Sequence, residues 1–197
     1  MGRTGFFDIE KHFAFYGAYH SNPINILIHT LFVWPIFFTT LVILYFTPPI
    51  FSSPQLGFDH GLVFNYGFLF AVTYALFYAS LDQKAGSLAA LLSLLCWVGA
   101  SILANRLGFS LAWKVVLVAQ LICWTGQFIG HGVFEKRAPA LLDNLLQAFL
   151  MAPFFVLLEV LQSFFGYEPY LGFHAAVKAK VDADIKEFQS NKQKKLS

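Results

Sequence analysis

The stretch from Ile24 to Phe46, INILIHTLFVWPIFFTTLVILYF, decides the class of this chain. It contains no aspartate, glutamate, lysine or arginine, and about 20 apolar residues suffice to cross the hydrocarbon core of a bilayer. Windows of similar character lie at 62–81, 86–104 and 113–130. Of 197 residues, 57% are hydrophobic and 12% charged, against about 25% charged in soluble domains. The sequence therefore predicts an all-α integral membrane protein with four transmembrane helices. A net charge of +2 and the lack of a basic patch interleaved with aromatics argue against a nucleic-acid partner. Nothing in the pattern implies an obligate protein partner.

Residues 6–20 precede the first window and read as a short amphipathic helix. Phe6, Ile9, Phe13 and Tyr16 form its apolar stripe, and Asp8 is its early-turn acid. Such an aromatic helix is expected to lie in the membrane interface. Ser21-Asn22-Pro23 breaks it, with Asn22 as the cap of the next helix and Pro23 at its first position. The expected loops are Thr47–Gly61, Asp82–Ala85 and Asn105–Ala112.

A further apolar stretch, 140–165, is interrupted by Asp143, Asn144 and Gln147, then Pro153, then Glu159 and Gln162. Its apolar core, Ala148–Leu158, is about half of what a span requires. It reads as a re-entrant hairpin or as interfacial helices packed on the bundle. Residues 1–173 thus form one transmembrane helical domain. Residues 174–197 form a polar tail, weakly amphipathic through Val177, Val181, Ile185 and Phe188, with a disordered end. Cys96 and Cys123 lie in apolar runs without CxxC spacing and read as buried thiols. The polar start, Met1 to Lys11, does not resemble a cleavable signal peptide.

With four spans, Arg3, Lys11, Lys84, Lys136, Arg137 and the tail lysines fall on one side, while the other receives Arg106 and Lys114. The positive-inside rule places both termini in the cytosol. The ending Lys194-Lys195-Leu196-Ser197 resembles a dilysine retrieval signal, which points to the endoplasmic reticulum membrane.

The same topology sorts the histidines. His20 ends the interfacial helix. His29 lies six residues beyond Pro23, about 9 Å into the first span. His131 lies at the end of the fourth. All three share one depth on one side. His12 is two turns before His20, His60 falls in the opposite loop, and His174 begins the tail. An ionisable side chain inside a span is costly and is usually functional. Neutral imidazoles suit Zn, Cu, Fe and Ni, and the residue count suits a single mononuclear site. Around it, Asn25 lies four residues before His29, and Gln127 and Glu135 flank His131 at i−4 and i+4. Glu135 reads as a ligand, as an orienting group or as the ion-pair partner of Lys136 or Arg137. Lys136 and Arg137 are also placed to attract an anionic headgroup.

Two stretches are familiar. Tyr19–His29 (YHSNPINILIH), followed by Trp34-Pro35, is one. Gln127–Leu141 (QFIGHGVFEKRAPAL), continuing through Asp143-Asn144-Leu145 to Ala152-Pro153, is the other. Together they resemble the small endoplasmic-reticulum proteins typified by the fungal 2-hydroxy fatty acid dioxygenase of phytosphingosine breakdown. The resemblance covers residues 6 to about 165. It implies Fe(II)-dependent α-oxidation that removes one carbon from a 2-hydroxy fatty acid with dioxygen. It points to His20, His29 and His131 as metal ligands and catalytic residues, with His12 and Glu135 as lesser candidates. Two other readings of the residues stand beside it. One is a non-enzymatic membrane scaffold or lipid-binding protein whose histidines bond helices together. The other is a zinc-dependent lipid hydrolase with Glu135 as its base.

Overall fold

The computed structural model describes residues 5–50, 62–139 and 145–196. Arg3, His60, the Asp143-Asn144 pair and most of the first expected loop lie outside the described residues. After a short 3₁₀ turn, Gly5–Phe7, come α1 (Ile9–Tyr19) and α2 (Pro23–Leu44). They are followed by α3 (Tyr66–Leu81), α4 (Ala85–Leu107), α5 (Phe109–Ile129), α6 (Leu145–Phe165) and α7 (Phe173–Leu196). A π-helical turn, Gly130–Glu135, extends α5. No strand occurs among the described residues.

Local sequence sets the boundaries. The Asp8 carboxylate accepts from Lys11 N at 3.0 Å and caps α1. Asn22 Oδ1 accepts from Ile24 N at 2.9 Å, and Pro23 opens α2 where no backbone donor is needed. Asn65 caps α3 and also donates to Tyr45 O at 2.7 Å, tying the start of α3 to the end of α2. Asp82 accepts from Lys84 N and Ala85 N at 3.0 and 2.7 Å at the next corner. The expected loop Asn105–Ala112 shrinks to Gly108, because φ = +65° at that glycine lets α4 turn directly into α5.

Two segments differ from the sequence reading. The window 62–81 becomes a helix of 16 residues, about 24 Å long. It falls short of the helices that can cross by length and composition, yet it runs antiparallel between α2 and α4. The described part of 140–165 is one continuous helix, and its 18 residues Ala148–Phe165 are long and apolar enough to cross. Backbone groups in apolar surroundings must be bonded within the segment, so the helix continues through Pro153 and past the part-buried Glu159 and Gln162. Among the described residues, four helices are thus long and apolar enough to cross a membrane: α2, α4, α5 with its π turn, and α6.

Just beyond α6, the Tyr167 hydroxyl donates to Asp82 at 2.6 Å, at the end of the bundle where α2 begins. From there α7 packs along α1. Phe173 stacks on Phe13 with centroids 5.7 Å apart, and Lys180 pairs with Glu10 at 2.7 Å. The tail is therefore a docked helix that continues to Leu196, not a disordered end. The first and last described helices lie at the same end of the bundle.

Candidate metal centre

Three elements deliver one histidine each. His20 caps the C-terminus of α1 at the corner before α2. Its Nδ1–H donates to Tyr16 O at 2.8 Å, and its Nε2 is buried with no hydrogen-bond partner among the described residues. His29 sits inside α2, where its Nδ1–H donates to Asn25 O at 3.0 Å and leaves Nε2 available. His131 lies in the π turn, and its Nδ1 is buried without a partner among the described residues. The ring centroids are 4.3, 4.9 and 4.8 Å apart, all edge to face. One ring nitrogen from each residue lies within 4.8 Å of the others, and the side chains are only 8, 4 and 4% exposed.

An apolar site that gathers unpartnered imidazole nitrogens without a donor among them suits a metal ion. Backbone carbonyls fix the proton of His20 and His29 on Nδ1, which presents Nε2 as a lone pair. Burial, and then the neighbouring His29 and His131, hold the pKa of His20 well below its ordinary value, so the ring is neutral near pH 7. The donor set fits a divalent first-row metal.

The structure gives Glu135 a definite role. Its carboxylate accepts from Ser21 N (3.0 and 3.1 Å), Ser21 Oγ (2.5 Å), Asn22 N (3.0 Å) and Asn25 Nδ2 (3.0 Å). It clasps the first residues of α2 to the end of the π turn, and so fixes His20 and His29 against His131. It forms no ion pair with Lys136 or Arg137 among the described residues. The Arg137 guanidinium instead bonds Asp184 and Ala18 O, both at 2.8 Å, and lies 3.7 Å from the Tyr19 ring centroid. Lys136 is exposed and leaves the π turn with φ = 55°. Neither cation lines the cavity beside the histidines. Gln127 does line it, whereas His12 and the exposed His174 fall outside the three-histidine group.

Tyr16 escaped the sequence reading. Its ring stacks on His20 with centroids 4.1 Å apart, it lines the cavity, and its buried hydroxyl has no hydrogen-bond partner among the described residues. Burial, then the nearby Glu159 and Glu135, raise its pKa well above the ordinary value, so the hydroxyl remains a donor. Its i−4 spacing to His20 was visible, but the apolar stripe accounted for it equally well. The cavity itself measures about 70 Å³, and Phe15, Phe128 and Phe155 line it.

Comparison with known proteins identifies relatives of the whole chain. Residues 6–164 match the family model described as 2-hydroxy-palmitic acid dioxygenase Mpo1-like. The 2-hydroxy-palmitic acid dioxygenase MPO1 of Saccharomyces cerevisiae is 36% identical over 187 residues, covering 95% of each chain. No solved structure matches the chain significantly.

Proposed function

The chain belongs to the Mpo1-like family, and from that premise we propose that it is an Fe(II)-dependent dioxygenase that shortens 2-hydroxy fatty acids by one carbon. The observation that carries the reading is the set of three buried histidines whose free ring nitrogens converge beside an apolar cavity. His20, His29 and His131 would hold the iron. When bound, Fe(II) would supply a Lewis-acidic centre for the hydroxyl and carboxylate oxygens of the substrate and the redox partner for dioxygen.

The protein's own residues do the positioning. An all-histidine set brings no negative charge, so it favours an anionic chelating substrate. The Tyr16 hydroxyl is placed to donate to an oxygen of that substrate, and Gln127 offers an amide on the opposite wall. Phe15, Phe128 and Phe155 give the cavity apolar walls against which the reacting carbons would be held. The reaction balances without a separate 2-oxo acid. A 2-hydroxy acid and O2 yield the acid one carbon shorter, CO2 and water, with the C1–C2 bond broken and all four electrons drawn from the substrate.

The alternatives lack such support. The Glu135 carboxylate is saturated by bonds to Ser21, Asn22 and Asn25 and is not available as the base of a zinc hydrolase. A scaffold whose histidines bond helices together would direct their ring nitrogens to partners, whereas two of these remain bare. We further propose residence in the endoplasmic reticulum membrane with both termini cytosolic, a reading supported by the charge distribution and the Lys194-Lys195 ending.

The test is metal analysis of the purified protein joined to turnover of a 2-hydroxy fatty acid under air and under nitrogen. The expected result is one iron per chain and oxygen-dependent loss of one carbon. His29→Ala should insert normally, retain no iron and lose activity by at least about 10³-fold. An iron-loaded, fully active His29→Ala protein would refute the assignment.

A further inference from the structure

A second cavity of about 480 Å³ lies deeper in the bundle. Trp124, Gln127, Ala148 and Ala152 line both it and the small cavity at the histidines, so the two spaces adjoin. Its walls follow from helical spacing. On α2, Val33, Ile36 and Thr40 descend from His29 at i+4, i+7 and i+11. On the antiparallel α5, Gln127, Trp124 and Gln120 descend from His131 at i−4, i−7 and i−11. Each helix carries a histidine at one end of this face and a polar residue at the other.

The two faces are joined at the bottom. Gln120 Nε2 donates to Ile36 O (3.1 Å), Thr39 Oγ1 (2.9 Å) and Thr40 Oγ1 (3.3 Å), and Trp124 Nε1 donates to Gln120 Oε1 at 2.8 Å. Tyr74, on the α3 side, spends its hydroxyl on Phe149 O at 3.2 Å. These polar groups are therefore already paired, and the surface left to a ligand is apolar. From His29 to Thr40 the cavity follows eleven residues of helix, about 16 Å.

We infer that this cavity receives the alkyl tail of the substrate, and that the Gln120–Thr39–Thr40 junction is its floor and limits tail length. The inference rests on the proposed function for the identity of the head group. The occupant is an unbranched hydrocarbon chain: the space adjoins the histidine site, is largely apolar along its walls and is several times larger than the head-group cavity. Ala148 and Ala152, which line both spaces, are small and put little side chain between them.

Two measurements on the full-length, iron-loaded protein test it. The first is photolabelling under nitrogen with a 2-hydroxy fatty acid that carries a diazirine at its terminal carbon. Adducts are expected on Ile36, Thr40 or Gln120, and adducts confined to the outward-facing Leu91 and Leu95 of α4 overturn the inference. The second is kcat/KM along a homologous series of straight-chain 2-hydroxy acids. Thr40→Phe should reduce turnover of the longest substrates by about ten- to a hundredfold, the cost of overfilling a packed space, and leave the short ones unchanged. Ile36→Phe, which keeps the polar floor intact, should act in the same direction. A length profile unmoved in both folded variants overturns the inference. A wild-type protein that turns over no 2-hydroxy acid but is labelled at Ile36, Thr40 or Gln120 refutes the reaction and supports the cavity.

Discussion

At the scale of residues, Glu135 carries the sharpest consequence. All its partners are donors: two backbone N–H groups, a hydroxyl and an amide. Glu135→Gln puts an NH2 group among them and breaks the clasp without changing volume. We expect a stability loss of about 1–3 kcal/mol and iron affinity lower by about 10–100-fold, as for other groups that position metal ligands. The optical spectrum of the cobalt-loaded variant should match that of the wild type, because the ligands are unchanged; an altered spectrum would make Glu135 a ligand. The histidines give a pH prediction. The folded pKa of His20 is lowered below its ordinary 6.5, so between the two values the unfolded chain binds more protons. Stability of the metal-free protein is full above about 6.5 and declines as pH falls toward the folded value, which thermal unfolding at pH 7.5 and about pH 5 would reveal. The three histidines were legible in the sequence because depth along a span follows from counting residues. The clasp was not, because Glu135 and Ser21 are 114 positions apart and its near neighbours Lys136 and Arg137 offered a plausible but unformed ion pair.

At the scale of elements, the seam between α2 and α5 sets the geometry of the site. Gly126 and Gly130 are four apart on α5 and face α2, the small-residue spacing that lets apolar helices approach closely. A Cβ at Gly130 would stand 2.4 Å from Asn25 Oδ1, and one at Gly126 would stand 2.4 Å from the Phe32 ring. Gly130→Ala should therefore push α5 off the residue that holds both His29 and Glu135. An overpacking cost of about 1–3 kcal/mol should appear in thermal unfolding, accompanied by weakened iron retention. Gly132, with nothing near its Cβ, is the matched control, and Gly132→Ala should change neither. The sequence displayed the helices on either side of this seam, since long uncharged windows are unambiguous. It did not display the π turn, which is a hydrogen-bonding register and leaves no compositional mark. Nor did it display the continuity of α6, because polar residues on one flank look like interruptions when read in a line.

At the scale of the whole molecule, the site is closed by the two ends of the chain. Tyr16 belongs to α1, a helix of 11 residues that His20 caps and that would be marginal alone. It is held against the bundle by contacts with α6 and α7. Phe13 packs on Phe155 and Phe173, a Cβ at Gly17 would meet Val181 at 2.9 Å, and Arg137 links the exit of the π turn to Asp184 of α7. The polar tail thus acts on the metal centre through α1 although it supplies no ligand. Composition alone made residues 174–197 look independent of the domain, because lysines dominate the stretch and the apolar face is one residue wide. Phe173, buried completely, anchors this arrangement. Phe173→Ala should cost about 3–5 kcal/mol and loosen α1 more than α2 or α5. Hydrogen exchange would then rise first in residues 9–19, and iron retention would fall while the transmembrane helices keep their protection. If exchange rises uniformly across the bundle, or if α1 stays protected while iron is lost, then α7 does not support the centre through α1. Restoring bulk with Phe173→Leu should recover most of both signals, since a leucine can refill the pocket between Phe13 and Tyr170 without a change of backbone.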